Sequence, residues 1–121
     1  MDAAVAKLVG QGVDVIFVLS TIAFNLRGRL IELANRRRLP VVGAGARVAE
    51  DGALFAYGAS LADQLRRSAQ LVNKVLKGAK PSDLAVAQAT KFVLVINLKT
   101  AKSLGITVPQ SVLLCADKVI Q

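Results

Sequence analysis

Residues 13–19 read VDVIFVL, apolar at almost every position. A half-buried strand alternates apolar and polar residues. A run this uniform is how a strand reads when a parallel sheet covers both of its faces. The flanking residues support that reading. Residues 2–9 carry Ala3, Ala4, Val5, Leu8 and Val9 as an apolar helical stripe, ended by Gly10 and Gly12. Downstream, Ser20 or Thr21 caps a helix to about Arg37, with Leu26, Leu30, Leu33 and Ala34 on one face and Pro40 as its stop.

The same alternation continues. VVGAG (41–45) is a second short strand, one helical turn covers 47–50, and Asp51-Gly52 turns the chain into a third strand, ALFAYG (53–58). Ser60 with Asp63 resembles a capping box and opens a long helix to Lys77. Its inner stripe is Leu61, Leu65, Ala69, Val72 and Leu76, and Gly78 stops it. After an irregular connection (79–90), KFVLVINL (91–98) is a fourth strand. A short helix over 99–104 follows, and Gly105 and Pro109 separate it from a last helix over 110–120. Strands alternating with helices predict an α/β fold, a three-layer sandwich around a parallel sheet. Ligands in such sheets bind beyond the carboxyl ends of the strands. Here those ends are Leu19-Ser20-Thr21, Gly43-Ala44-Gly45 and Tyr57-Gly58-Ala59-Ser60.

Composition narrows the chemistry. The 121 residues are 54% hydrophobic, enough for one small domain, and no apolar run reaches the length of a membrane span. The start lacks a basic region and places Asp2 where a positive charge is expected, so no export signal is expected. The net charge of +8 is spread over several elements. Its densest run, Arg36-Arg37-Arg38, falls at a helix end, where cations oppose the helix dipole. The four Phe and one Tyr are not interleaved with the cations as a stacking platform, so no nucleic-acid partner is expected. There is no His, and the single Cys115 excludes an internal disulfide and a cysteine metal cluster. Within SVLLCADKVI, an apolar helical pattern, Cys115 reads as a buried structural thiol.

Three stretches invite a sharper reading. GAGARV (43–48) follows a strand like a dinucleotide fingerprint, but Val48 stands where the third Gly is needed, and no acidic residue ends a following strand. A tight turn needing small residues accounts for it. Ser20-Thr21 sits where a ligand could meet a helix N-terminus, and simple capping explains it equally. Tyr57 offers an aromatic face and a hydroxyl beside a Gly that permits close approach. That suits a binding site or a packed core. Asp14, Glu32 and Glu50-Asp51 have no base to work with, so no catalytic residue, metal or cofactor is expected, and no enzyme.

Taken together, RLPVVGAG (38–45), YGASLADQLRRSA (57–69), VLKGAKPSDLAV (75–86) and KFVLVINLKTAKSLGITVP (91–109) resemble the C-terminal part of the substrate-binding proteins of ABC importers, which have the type I periplasmic-binding-protein fold. The resemblance covers essentially the whole chain. It implies two α/β lobes joined by crossing segments, with a solute held between them. Residues 1–57 then belong with the second lobe, and 58–121 supply the crossing helix, the return strand and the terminal helices. The chain would begin in a late helix of that lobe. The resemblance implies that Ser20, Thr21, Ala44, Gly45, Tyr57, Gly58, Ala59 and Ser60 face the cleft. It implies a small-molecule solute and an ABC permease as partners, and a periplasmic location; the chain as it stands, with no export signal, would stay in the cytoplasm. The stripe on helix 60–77 packs with the first lobe in that fold and must be covered, which predicts a homodimer with exchanged C-terminal elements. The alternative is a freestanding oligomerisation module whose ancestral ligand site is lost.

Overall fold

The computed structural model describes residues 1–19, 25–85 and 88–121. Among them the chain runs α1 (Asp2–Gly10), β1 (Ile16–Val18), α2 (Arg27–Arg36), β2 (Val41–Gly43), α3 (Ala46–Glu50), β3 (Phe55–Ala59), α4 (Leu61–Leu76), β4 (Phe92–Asn97), α5 (Leu98–Leu104), α6 (Gln110–Leu114) and β5 (Lys118–Ile120). A single 3-10 turn at Pro81–Asp83 interrupts the connection between α4 and β4.

Five strands among the described residues form one sheet in the order β1-β2-β3-β4-β5. β1 pairs with β2, β2 with β3 and β4 with β5 in parallel; β3 and β4 are antiparallel, in register from Phe55↔Ile96 to Ala59↔Phe92. The fold is therefore α/β, a mostly parallel sheet flanked by helices. The antiparallel pair has a simple cause. A parallel return would lay α4 across a face of the sheet as a crossover. Instead the chain leaves and re-enters at the same end, and none of α4 is buried.

The core lies on one face. Successive side chains of a strand point to opposite faces, so the pairing puts Val18, Val41, Ala56 and Val95 on the same side of the sheet. Val5 of α1, Ile31, Leu33 and Ala34 of α2, and Val48 and Ala49 of α3 close over them. Burying each of the larger side chains stabilises the fold by about 1.5–3 kcal/mol. Gly43 is needed for this packing, because a β-carbon there would stand 2.8 Å from Cγ1 of Val48. A polar tie fastens the far end of β4. Asn97 is buried; its side-chain amide donates to the Ala49 carbonyl at 2.9 Å, and its Oδ1 accepts from the Thr100 N–H at 3.0 Å as the N-cap of α5. Thr100 Oγ1 and Asn35 Nδ2 both donate to the Gly52 carbonyl, at 2.9 and 3.1 Å. α2, the α3–β3 turn and α5 are thereby held together.

Four expectations need correction. β1 is not covered on both faces: it is an edge strand, and Phe17, on the side away from the core, is 51% exposed. On that side residues 106–112 lie over Phe55, Leu94 and Ile96 at the other end of the sheet. The inner face of α2 uses Ile31 with Leu33 and Ala34, while Leu26 precedes the helix and is exposed. The last helix stops at Leu114, and residues 118–120 are a fifth strand. Asp117 makes the switch: its N–H donates to the Leu94 carbonyl at 2.9 Å, and its carboxylate accepts from the Leu94 N–H at 2.8 Å. Cys115, at the end of α6, is consequently exposed rather than buried.

Candidate functional site

The carboxyl ends of β1, β2 and β3 point the same way, and the turn that follows β2 meets the end of β3 where Gly45 stands against Gly58. Gly45 has φ +95°, a backbone conformation that side-chain-bearing residues rarely adopt, and it leads directly into α3. Gly58 lies opposite it on β3. A β-carbon on Gly58 would stand 2.9 Å from the Gly45 nitrogen, so only glycine lets the β2–α3 turn close against the strand.

Ser60 finishes this corner. Its Oγ accepts from the Asp63 N–H at 3.3 Å and caps α4, while its own N–H donates to the Lys91 carbonyl at 2.9 Å just before β4. The Asp63 carboxylate is engaged by Arg67 at 2.8 Å, and Arg67 also reaches Thr90. The start of α4 is thus held to the start of β4 by backbone and side chains together.

Gly45, Gly58, Ala59 and Ser60 line one open cavity of about 340 Å³, with Arg47 and Val93 on its wall. Four of the expected site residues are therefore brought together. Ala44 is exposed at the end of β2, its N–H donating to the Val18 carbonyl at 3.4 Å. Tyr57 is separated from the cavity: alternation along β3 turns it to the other face from Gly58. There its ring stacks on Phe92, with centroids 5.7 Å apart and planes 20° from parallel. Ser20 and Thr21 lie outside the described residues.

Arg47, Val93 and Phe92 were not among the expected site residues. Arg47 was visible only as part of the glycine-rich turn. Phe92 opens the fourth strand, but its place beside Tyr57 depends on an antiparallel register that no local pattern carries. A second, larger groove of about 670 Å³ runs between α4 and residues 83–85, lined by Asp63, Arg66, Arg67 and Lys74 among others.

Electrostatics at the corner are simple. Arg47 supplies the cation on the cavity wall, and Ser60 a hydroxyl. Half-buried backbone at two glycines and one exposed guanidinium suit the binding of a small polar solute. The two carboxyl groups held below their ordinary values lie elsewhere. Asp2 is lowered by its hydrogen bond to Arg37, and Glu50 by its hydrogen bond to Lys118. Among the described residues no group of three or more His, Cys, Asp or Glu is placed to hold a metal ion, and no helix is long and apolar enough to cross a membrane.

Comparison with known proteins adds a family. The model of ABC transporter substrate binding proteins matches residues 1–120. Among solved structures, a conserved domain protein from Vibrio cholerae is 31% identical, with a TM-score of 0.88 over 98% of this chain and 40% of its own. The ABC domain of a Streptococcus pneumoniae protein, in complex with L-Trp, is 30% identical, with a TM-score of 0.84 over 98% of this chain and 41% of its own. A Clostridium difficile substrate-binding protein with adhesive properties, in a ligand-free, open structure, shares the fold at 23% identity and a TM-score of 0.71, over 99% of this chain and 40% of its own. The chain thus spans about two fifths of the length of each structure. No curated protein matches it.

Proposed function

The chain belongs to the ABC transporter substrate-binding proteins, and from that premise we propose that it is the C-terminal portion of the solute-binding component of an ABC importer. It holds a small organic solute, an amino acid or an aromatic compound, and presents it to an ABC permease. The observation that carries this reading is the corner where Gly45, Gly58, Ala59 and Ser60 line one cavity at the carboxyl ends of the strands. The L-Trp complex of the S. pneumoniae relative supports the ligand class. Ser20, Thr21, Ala44 and Tyr57 complete the ligand-facing set.

Closure over the solute rotates the backbone where β3 passes into α4 and where the chain returns into β4. Membership of the family supports a location outside the cytoplasmic membrane, and the proposed location is the periplasm. The exposed stripe of α4 supports a further element of this reading: the chain forms a homodimer, with its C-terminal elements exchanged about a two-fold axis.

The test is a ligand screen. Calorimetric titration of the chain with amino acids and aromatic acids is expected to find saturable binding. Gly58→Val, which pushes a side chain into the Gly45 turn, is expected to abolish it. If no solute binds the chain or a longer protein that contains it, the reading fails. Self-association that persists without any solute binding favours the freestanding oligomerisation module instead.

A further inference from the structure

Tyr57 is the last ring before the chain leaves the sheet on β3, and Phe92 is the first ring after it returns on β4. They lie diagonally across the strand pair: Tyr57 is opposite Leu94, and Phe92 is opposite Ala59. Their stacked rings are 55% and 48% exposed. A half-wet aromatic pair at a strand's carboxyl end presents an open π face and, on Tyr57, a hydroxyl at its rim. The same face of the sheet stays apolar below the pair. Phe55, Leu94 and Ile96 floor a cavity of about 230 Å³ with Ile106 and Val108, and no charged side chain lines it. A ring placed on Tyr57 would therefore meet carbon rather than charge.

We propose that the Tyr57–Phe92 pair is the specificity-determining platform for an aromatic ring of the solute, Phe92 backing Tyr57 and fixing its plane. This rests on the solute-binding reading above and narrows it to solutes with a planar ring. It also divides the site about β3: the ring lies on the face of Tyr57, and the small-residue cavity at Gly45 and Gly58 is on the other.

The chain supplies its own probe, since Tyr57 is its one tyrosine and it has no tryptophan. The experiment titrates the whole chain with L-phenylalanine, benzoate and L-leucine, reading binding by calorimetry and the ring by Tyr57 emission. The ring-bearing solutes are expected to bind and to change the emission. Phe92→Leu is expected to weaken their binding about three- to tenfold, the scale of one aromatic contact, and Phe92→Tyr to restore it. Circular dichroism confirms that each variant is folded. If a ring-bearing solute binds without altering Tyr57 emission, or leucine binds equally well and Phe92→Leu changes nothing, the platform is refuted while the solute-binding reading stands. Binding by no solute removes both. Emission that follows protein concentration instead of solute makes the pair a contact between copies, and also overturns the proposal.

Discussion

Gly58 stands so close to Gly45 that a β-carbon on Gly58 would lie 2.9 Å from the Gly45 backbone nitrogen. The obstacle is main chain, which cannot swing aside as the tip of a side chain can. Gly58→Ala is expected to destabilise the fold by about 1–3 kcal/mol, the usual cost of overpacking. Gly28, inside α2, has nothing within 4 Å of a built β-carbon. Gly28→Ala is expected to stabilise by about 0.5–1 kcal/mol through helix propensity alone. Urea denaturation of both variants checks the contrast, and equal effects would mean that the β2–α3 turn yields.

Asn97 offers a second test, because one buried side chain serves two partners. Asn97→Ala leaves the Ala49 carbonyl without its donor and α5 without its cap. The expected loss is about 1–3 kcal/mol. Asn97→Asp keeps the cap and sets a carboxylate against that carbonyl, so it is expected to cost at least as much. Thermal melts followed by circular dichroism decide; a loss within 0.5 kcal/mol, the scale of an ordinary surface change, would remove the tie from the account.

Glu50 and Lys118 bind α3 to β5 at 2.7 Å. The hydrogen bond and charge of Lys118 hold the Glu50 carboxyl below its ordinary value of 4.5. A depressed carboxylate adds stability that is fully present above that ordinary value and is lost as pH falls through the lower, folded-state one. Both partners are well exposed, so the pair contributes less than about 1 kcal/mol. Glu50→Gln is expected to lower stability at pH 7 by no more than that, and to leave it unchanged at pH 2. Denaturation midpoints at the two pH values make the comparison. A deficit that persists at pH 2 would assign the effect to packing.

Leu61, Leu65, Val72 and Leu76 form a stripe along α4 that the rest of the described chain leaves in water. Replacing Leu65 and Val72 by Gln removes apolar surface that is 61% and 56% exposed. The fold is expected to change by less than about 0.5 kcal/mol, while the proposed homodimer dissociates. Light scattering at micromolar concentration reads the outcome, and a wild-type chain that is already monomeric would dismiss the dimer.

What could be read from the sequence follows physical range. The places of β1 to β4 and of α2 to α5 were legible because periodicity, Gly78, Pro40 and the Ser60 cap act over a few residues. The openness of Phe17 was not, since an apolar run records what a strand tolerates rather than what covers it. Residues 110–120 fit a helical stripe, and β5 arises there from the hydrogen bonds of Asp117 to Leu94, across 23 positions of chain. At the candidate site, the tight turn at residues 43–48 and the close approach permitted by Gly58 were legible locally, but the meeting of Gly45 with Gly58 depends on how β2 and β3 pair. The pairing of Phe92 with Tyr57 depends on register, which no single segment encodes. Ser20 and Thr21 remain expectations.

None of α4 is buried among the described residues, although the helix is 16 residues long. Its backbone hydrogen bonds are intrahelical, and its fastenings to the start of β4, from Ser60 to Lys91 and from Arg67 to Thr90, lie in its N-terminal half. Amide exchange in this chain should therefore be sharply divided. The α4 amides open in a local event close to the helix–coil equilibrium of a free peptide, and exchange while the sheet is intact. The amides of Val95 and Ile96, in the centre of the sheet, wait for global opening. The helix is a cooperative unit of its own, and any body that docks on it, a solute-loaded lobe or a second copy, would be visible first as a slowing of that exchange.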